Sequence, residues 1–222
     1  KMVTLAIHKR MQRYLFGNGE RPILECEQRG VRSSQGYKEA VIENLASNLA
    51  KKREKKAIIE LYYDFQKAYD NVNHAFLDEL LNVYGFQPGI QMLIIEMMAR
   101  WKIRLSYGAK KDVGEVRLTN GIIQGDAFSP MFFVLMIDPL IKIMKKNVGD
   151  RVEVLYYMDD LKASMTSIQT AYAVHGVVKK YAMSVGMVIN SKKSAIQLNF
   201  MTPLPESLQD IPRMDEMSYK YL

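Results

Sequence analysis

One apolar run that ends in two adjacent aspartates constrains the fold more than any other feature of the sequence. Residues 152–158 are mostly β-branched, aromatic and aliphatic, which favours a buried strand, and Asp159 and Asp160 follow directly. Polar and apolar residues then alternate over residues 161–165, which favours a second strand. The pattern predicts a β-hairpin with both aspartates at its turn. Aspartate is also common in turns for purely local reasons, because its side chain bonds its own backbone, so the pair alone does not identify a catalytic site.

A second apolar run, residues 57–63, also ends in an aspartate, Asp64. If the two strands lie side by side, Asp64 and Asp159 meet at one edge of the sheet, where their like charges repel unless a cation lies between them. Hard carboxylate oxygens select Mg²⁺ or Mn²⁺. Two such ions can bind the attacking and the leaving oxygen of a phosphoryl transfer. The arrangement therefore indicates nucleotidyl transfer.

The net charge of +7 is concentrated in the first quarter of the chain. Residues 1–56 contain 13 Lys or Arg against 6 Asp or Glu, whereas residues 57–222 contain 18 against 18. A basic lobe beside a carboxylate site fits a substrate with a phosphate backbone, because neutralising each phosphate releases counterions. For the lysine-rich segment at residues 51–56 taken alone, a solvated helix face is an equally good interpretation.

Composition limits the other classes of function. A chain of 222 residues with 48% hydrophobic content can bury a sizeable core. It contains no run of about 18 uncharged apolar residues and no secretion signal at its start, so we expect no membrane association. The single cysteine, Cys26, cannot form an internal disulfide, which fits the reducing environment of an intracellular protein, in the nucleus or the cytoplasm.

Helical and strand patterns alternate along the chain and predict an α+β domain. Helices are expected at residues 3–15, 37–55, 74–84, 88–101, 129–146 and 167–185, and further strands at 102–107, 113–118 and 194–200. In the second helix, Ala40, Val41, Leu45 and Leu49 are expected to face the core. The predicted architecture is a small antiparallel sheet backed by helices on one face, with the site on the open face.

Four segments, taken in order and spacing, match the motifs of a known family. They are YDFQKAYDNVNH at 63–74, GIIQGDAFSP at 121–130, YMDD at 157–160 and GMVINSKK at 186–193. Together they resemble the palm motifs of reverse transcriptases, and especially those of non-LTR (LINE-type) retrotransposons. The resemblance implies a polymerase palm, with a small antiparallel sheet backed by helices.

Two further segments resemble the regions that flank this palm. EQRGVR at 27–32 is similar to a fingers motif, and SYKYL at 218–222 is similar to the segment that enters the thumb. The resemblance implies basic, partial fingers at residues 1–56, a palm at 57–202 and a connector toward a missing thumb at 203–222.

The resemblance also implies which residues perform the chemistry. Asp64 and Asp159 correspond to the metal-binding carboxylates of the family, and Asp160 to a third, weaker ligand. Lys193 corresponds to a lysine near the leaving pyrophosphate, although a plain surface lysine is an equally good interpretation. The implied cofactor is a pair of Mg²⁺ ions, with Mn²⁺ as the possible substitute.

Four other residues correspond to the nucleotide-binding positions of the family. The backbone at Phe65 would help to hold the metal and the triphosphate. Tyr69 matches the position whose ring closes against the 2′ carbon of the sugar, and the alternative is a core aromatic. Gln124 and Gly125 would lie along the templating base and the sugar, where only glycine allows a close approach.

The implied reaction extends a DNA primer with dNTPs on an RNA template, and Arg29 and Arg32 would grip the template or the triphosphate. Two other functions stay open. One is an RNA-dependent RNA polymerase on the same palm, although Tyr69 disfavours ribonucleotides. The other is a non-catalytic, domesticated or truncated palm that binds RNA or a protein partner. The intact acidic residues favour the enzyme.

Overall fold

The chain folds into six α-helices and eight strands over the residues that the structure describes. This computed structural model describes residues 2–17, 22–31, 36–107 and 111–214. The helices are α1 (Met2–Phe16), α2 (Tyr37–Arg53), α3 (His74–Val83), α4 (Pro88–Ala99), α5 (Ser129–Val148) and α6 (Ile168–Val185). The strands are β1 (Ile59–Tyr63), β2 (Phe65–Gln66), β3 (Lys102–Tyr107), β4 (Lys111–Arg117), β5 (Val152–Tyr157), β6 (Asp160–Met165), β7 (Val188–Ile189) and β8 (Ala195–Leu198).

A four-stranded antiparallel sheet contains both predicted carboxylate strands. Its order is β5-β6-β1-β8, so that β1 pairs with β6 on one side and with β8 on the other. Strands β5 and β6 form the predicted hairpin, in which Tyr157 pairs with Asp160 across a two-residue turn of Met158 and Asp159. The pairing of Tyr63 with Leu161 brings the end of β1 beside the start of β6. The α+β fold class is therefore confirmed. The two carboxylate strands, β1 and β5, belong to one sheet but are not neighbours, because β6 lies between them.

Helices α5 and α6 cover one face of this sheet. Most of α5 is buried, which explains why its sequence is apolar on nearly every side. α6 contacts β1 and β6, and the hydroxyl of Ser167, the residue before the helix, caps the backbone N–H of Thr170. Gly186, a left-handed residue with φ 75°, follows the helix and ends it. The buried tyrosine Tyr181 of α6 donates a hydrogen bond to the carbonyl of Met136 in α5, which joins the two helices.

The opposite face of the sheet is polar and is covered by α2, whereas the sequence predicted helices on one face only. Glu60 on β1 and Lys162 on β6 are diagonal neighbours on this face, and they form an ion pair in which both side chains are buried. Lys51 of α2 donates hydrogen bonds to Glu153 and Ser164 at 2.8 Å each. Because the sheet presents charged and hydroxyl groups here, the helix that covers it presents polar groups in return.

The orientation of α2 corrects a second expectation. Ala40 is buried as predicted, but Val41, Leu45 and Leu49 are exposed. The residues that contact the sheet are instead polar, and they include Asn44, which accepts a hydrogen bond from the ammonium group of Lys162. The apolar side of α2 therefore faces outward, because its polar side is needed to satisfy the buried polar groups of the sheet.

Helix α3 and the hairpin β3–β4 confirm the remaining local predictions. The side chain of Asn73 caps the backbone N–H of Phe76 at 3.1 Å, and Gly85, with φ 75°, follows the end of α3. Strands β3 and β4 pair antiparallel. The predictions for Arg32 and for the segment at 218–222 fall outside the described residues. Within the described part of the chain, no helix is long and apolar enough to cross a membrane.

Candidate active site

The predicted acidic residues meet at one end of the sheet. Asp64 directly follows β1, Asp159 lies in the β5–β6 turn, and Asp160 is the first residue of β6. Asp64 and Asp159 line a common cavity of about 240 Å³. Strand pairing alone explains this meeting, because the antiparallel register aligns the end of β1 with the start of β6.

The cavity collects residues from four separate segments. Six of the ten residues predicted to function line it: Asp64, Phe65, Tyr69, Gln124, Asp159 and Lys193. The other residues that line it are Gln66, Lys67, Ala68, Asp70 and Asn190. Residues that are distant in sequence and carry complementary polar groups are thus brought to one concave surface, which is the usual form of a ligand site.

The pKa of Asp160 reflects the negative potential at this site. Burial, followed by the charges of Asp159 and Asp64, raises the pKa of Asp160 to about 6, and the nearby Lys193 partly opposes the shift. A carboxyl whose pKa is raised by neighbouring carboxylates lies in a site that a cation would stabilise. The donors are hard oxygens, so the residues fit Mg²⁺ or Mn²⁺.

The side chains alone do not form a complete coordination shell for a metal ion. In the part of the chain that the structure describes, no three His, Cys, Asp or Glu side chains lie close enough together to hold a metal ion. Mg²⁺ typically takes only one or two protein carboxylates and fills its remaining positions with water and substrate phosphates. The arrangement of Asp64 and Asp159 at one cavity meets that requirement.

Two residues that hold Asp64 were not predicted as site residues. Asn190 donates a side-chain hydrogen bond to the carboxylate of Asp64 at 2.8 Å, and its backbone N–H donates to the carbonyl of Asp64 at 2.8 Å. The hydroxyl of Ser194 accepts a hydrogen bond from the backbone N–H of Asp64 at 3.1 Å. Both residues follow β7, which pairs with β2 beside the cavity. These bonds fix the orientation of the carboxylate before any ligand binds.

A buried polar chain supports the residue that precedes Asp64. The hydroxyl of Tyr63 lies 2.9 Å from Nδ1 of His175, and Nε2 of His175 lies 3.1 Å from Asp210. Burial lowers the pKa of His175, although Asp210 opposes the shift, which favours the neutral ring. The Nε2–H then donates to Asp210 and Nδ1 accepts from Tyr63. Asp210 also forms an ion pair with Lys179 at 2.7 Å, so this chain links β1 to the segment after β8.

The turn that carries Asp159 is strained and braced. Met158 has φ 55°, a left-handed conformation that costs energy in residues other than glycine. The segment at residues 27–30 runs along β5 and holds the turn from behind, because Arg29 donates its backbone N–H to the carbonyl of Tyr156 at 2.8 Å. A side chain at Gly30 would meet the sulfur of Met158 at 3.0 Å. Residues 27–30 therefore pack closely against the turn that carries Asp159, and a larger residue at Gly30 would require its neighbours to shift.

Tyr69 forms one wall of the cavity. Its ring stacks on that of Phe133, with 5.2 Å between the centroids and 9° between the planes. The ring is half-buried, and burial, followed by the charge of Asp159, raises the pKa of its hydroxyl. The backbone carbonyl of Tyr69 accepts a hydrogen bond from Ile122, which ties the tyrosine to the glycine-containing loop. The ring is thus held rigidly by the core while it borders the site.

The loop at residues 121–126 completes this wall. Gly121 has φ 82°, and a Cβ there would lie 2.8 Å from the carbonyl oxygen of Asp70, so only glycine fits. Gln124 lines the cavity. Gly125 has φ 85° and open space where a side chain would be, which leaves its backbone accessible to a ligand.

Of the two arginines predicted to bind the substrate, the structure describes Arg29 but not Arg32. The guanidinium of Arg29 forms an ion pair with Glu43 of α2 at 2.5 Å and is largely buried. Arg29 is outside the set of residues that line the cavity. Arg32 lies outside the described residues. A role for either side chain in substrate binding stays a prediction.

Comparisons with known proteins agree with this geometry. The family model described as reverse transcriptase (RNA-dependent DNA polymerase) matches residues 1–222. The Pol polyprotein of the type-1 retrotransposable element R2 from Nasonia vitripennis is 24% identical over 92% of this chain. The corresponding R2 polyprotein from Popillia japonica is 22% identical over 65% of the chain. The chain spans only about a fifth of the length of either relative, 22% and 21% respectively.

Solved structures show the same fold. Telomerase from Candida tropicalis, in complex with a TWJ fragment of telomeric RNA, superposes with a TM-score of 0.67 at 11% identity, over 88% of this chain and 33% of the telomerase chain. Apo telomerase from the same organism, truncated from its C-terminal domain, superposes with a TM-score of 0.62 at 13% identity, over 90% of this chain and 40% of the other. At this identity the likeness concerns the fold alone.

Proposed function

The chain belongs to the reverse transcriptase (RNA-dependent DNA polymerase) family, and we propose that it forms the catalytic portion of an enzyme that extends a DNA primer with dNTPs on an RNA template. Its relatives point to a non-LTR retrotransposon of the R2 kind as the source of that enzyme. In this proposal, residues 1–56 are basic, partial fingers, residues 57–202 are the palm and residues 203–222 lead toward a thumb.

One observation carries the proposal. Asp64, Tyr69, Gln124, Asp159 and Lys193 come from four segments and line one cavity at the end of the palm sheet. A non-catalytic palm has no need for acids placed close enough that the charges of Asp159 and Asp64 raise the pKa of Asp160, since such repulsion costs stability. Their retention together favours the enzyme over the RNA-binding alternative.

In the proposed site, Asp64 and Asp159 hold the divalent cations, and Asp160 contributes as the weaker ligand. Two Mg²⁺ ions, when bound, would supply the charge that stabilises the attacking and the leaving oxygens. The chain itself orients the carboxylate of Asp64 through Asn190, which donates to it at 2.8 Å. The turn at Met158, which packs against residues 27–30, fixes the position of Asp159.

Other residues would position the nucleotide. The backbone at Phe65 would help to hold the metal and the triphosphate, and Lys193 would lie near the leaving pyrophosphate. The ring of Tyr69, held against Phe133, would lie under the sugar and leave no room for a 2′-hydroxyl. Gln124 and the open backbone of Gly125 would lie along the templating base and the sugar.

The nucleic acid would meet the basic residues before the palm. Residues 1–56 hold the whole positive excess of the chain, and we include Arg29 and Arg32 among the residues that approach the template. We propose that the reaction takes place inside the cell, in the nucleus or the cytoplasm, and the single cysteine supports this.

The preference of the enzyme for dNTPs over ribonucleotides, and its dependence on Tyr69, tests the proposal. Tyr69→Val in the full-length protein should raise the use of ribonucleotides relative to dNTPs by about tenfold or more, because it removes the ring that excludes the 2′-hydroxyl. The measurement is kcat/KM for single-nucleotide incorporation of dNTPs and rNTPs by primer extension on an RNA template with Mg²⁺.

Tyr172→Val is the matched control, since Tyr172 is exposed on α6. Equal use of both sugars by the wild-type protein would favour the RNA polymerase alternative. A Tyr69 variant with an unchanged sugar ratio would show that this tyrosine is only a core aromatic. Complete absence of RNA-templated extension in the wild-type protein would favour the non-catalytic alternative.

A further inference from the structure

The hairpin β3–β4 exposes both of its faces. All six residues of β3 are exposed, and so are residues 113–117 of β4. One face carries Ile103, Leu105, Tyr107 and Val116, and the exposed fraction of the Tyr107 side chain is 82%. A two-stranded hairpin with no cover is marginally stable in water, and an exposed apolar surface of this kind commonly marks an interaction site.

The charge of the palm is also concentrated at this hairpin. Residues 100–117 contain six Lys or Arg against two Asp or Glu, whereas the rest of residues 57–222 contains 12 against 16. On the polar face, Lys102 and Arg104 both form ion pairs with Glu115, at 2.9 and 3.3 Å, and both side chains are exposed. The hairpin is a basic ribbon on an otherwise acidic palm.

The base of the hairpin is fixed to the candidate active site. Leu118 donates its backbone N–H to the carbonyl of Trp101 at 3.0 Å, which closes the two strands. The ring of Trp101 meets His74 edge-on, with 6.2 Å between the centroids. His74 donates from Nε2 to the carbonyl of Gly121 at 2.6 Å, in the loop that leads to Gln124. Trp101 and His74 thus connect the base of the hairpin to the loop that carries Gln124, a residue of the cavity.

We infer that the hairpin β3–β4 binds the template-bearing nucleic acid beside the active site. Lys102, Arg104 and the neighbouring Arg100 contact backbone phosphates, and the exposed apolar and aromatic side chains, Tyr107 foremost, pack against sugars and bases. The charge excess selects nucleic acid over a protein partner as the occupant of this surface. The inference rests on the proposed function and adds a second contact region to the basic residues at 1–56.

The test measures binding without chemistry. The 222-residue chain is titrated onto a fluorescent RNA template annealed to a shorter DNA primer, without dNTPs, over a series of salt concentrations. Arg100→Gln/Arg104→Gln removes two exposed positive charges from the hairpin region. Lys146→Gln/Lys180→Gln is the control with the same loss of charge, at exposed positions on α5 and α6. Tyr107→Ser tests the packing contribution separately.

The hairpin variant should reduce the slope of log Kd against log salt by about 1.5 and weaken binding about tenfold at physiological salt, because two phosphate contacts are lost. Tyr107→Ser should weaken binding without changing the slope. The control variant should bind like the wild type. Equal losses in the hairpin and control variants, or no loss in either, would overturn the inference. So would loss of self-association in the hairpin variants with intact RNA binding, since the surface would then be a protein interface.

Failure of the inference can be distinguished from failure of the proposed function. A chain that extends primers but whose hairpin variants bind normally contradicts the inference alone. A wild-type chain that binds the hybrid through this hairpin but whose full-length form extends no primer contradicts the proposed polymerase alone. A wild-type chain that does not bind the hybrid contradicts both.

Discussion

Replacing Asp160 with asparagine should stabilise the metal-free protein. The pKa of Asp160 is raised to about 6 from its ordinary 3.8, chiefly by burial and by the charges of Asp159 and Asp64. Because the folded-state pKa lies above the unfolded-state value, folding disfavours the ionised carboxylate. The resulting cost is absent below about pH 4, grows between about pH 4 and pH 6, and is complete above about pH 6. Asparagine has nearly the same shape and no charge, so it removes this cost.

The size of the effect follows from the shift in pKa. A rise from 3.8 to about 6 corresponds to about 3 kcal/mol in the free energy of unfolding. The side chain of Asp160 is partly exposed, and solvent screening reduces the value to about 1–2 kcal/mol. For a chain of this size, that gain raises Tm by about 3–5 °C.

Thermal unfolding at pH 8 and at pH 4, in the presence of a chelator, measures the effect. Asp160→Asn should unfold at a higher temperature than the wild type at pH 8 and at the same temperature at pH 4. Asp150→Asn, at an exposed aspartate outside the site, is the control and should change neither value. Mg²⁺ should then stabilise the wild type more than Asp160→Asn. A lower Tm for Asp160→Asn at pH 8, or an equal gain at both pH values, would refute the electrostatic argument.

Two further predictions concern the architecture. Lys162→Met should destabilise the fold by about 3–5 kcal/mol in urea unfolding, because it leaves the buried carboxylate of Glu60 unpaired, and Lys162→Met/Glu60→Leu should recover most of that loss. Additive losses in the double variant would contradict this. Gly121→Ala should cost about 1–3 kcal/mol in the same assay, since its Cβ would lie 2.8 Å from the carbonyl oxygen of Asp70 at φ 82°. Gly89→Ala, with open space around it, should cost much less, and equal costs would refute the steric argument.

The strands that carry the acids could be predicted because both signals are local. Each is a continuous apolar run that stops at an aspartate. Their position side by side was a hypothesis, and the sheet instead places β6 between them, so that the β5–β6 turn brings Asp159 to the end of β1 where Asp64 lies. The hairpin also followed from the pattern, but its turn was expected at Asp159 and Asp160, whereas Met158 and Asp159 form it and Asp160 begins β6. The left-handed conformation of Met158, with φ 55°, was not predicted, because the turn was expected at the two aspartates rather than at a methionine.

The burial of Lys162 and the orientation of α2 could not be predicted from apolar periodicity. Alternation of polar and apolar residues in β6 is the usual pattern of a strand with one solvated face, so it gives no sign that Lys162 is buried. A usable signal was present in α2, where polar residues at 44, 47, 48 and 51 follow helical spacing and match the polar face of the sheet. Polar complementarity between two elements is a weaker sequence signal than an apolar stripe.

Asn190 was missed for a related reason. Asparagine after a short strand is typical of a turn, and its sequence context gives no sign that its side chain reaches Asp64, 126 residues earlier. Only the pairing of β2 with β7 brings the two together. Long-range polar contacts of this kind depend on tertiary structure, whereas the acids themselves could be read from their place at the ends of strands.

The most direct test of the central claim is the rate of single-nucleotide incorporation by the full-length protein on an RNA template with Mg²⁺. Asp64→Asn and Asp159→Asn should each lower kcat by about 100-fold or more, because each removes charge that holds the cations at the reacting phosphate. Asp150→Asn should match the wild type, and circular dichroism should show that all three variants are folded. Incorporation at near the wild-type rate by either Asp64→Asn or Asp159→Asn would contradict the assignment of this cavity as the site of nucleotidyl transfer.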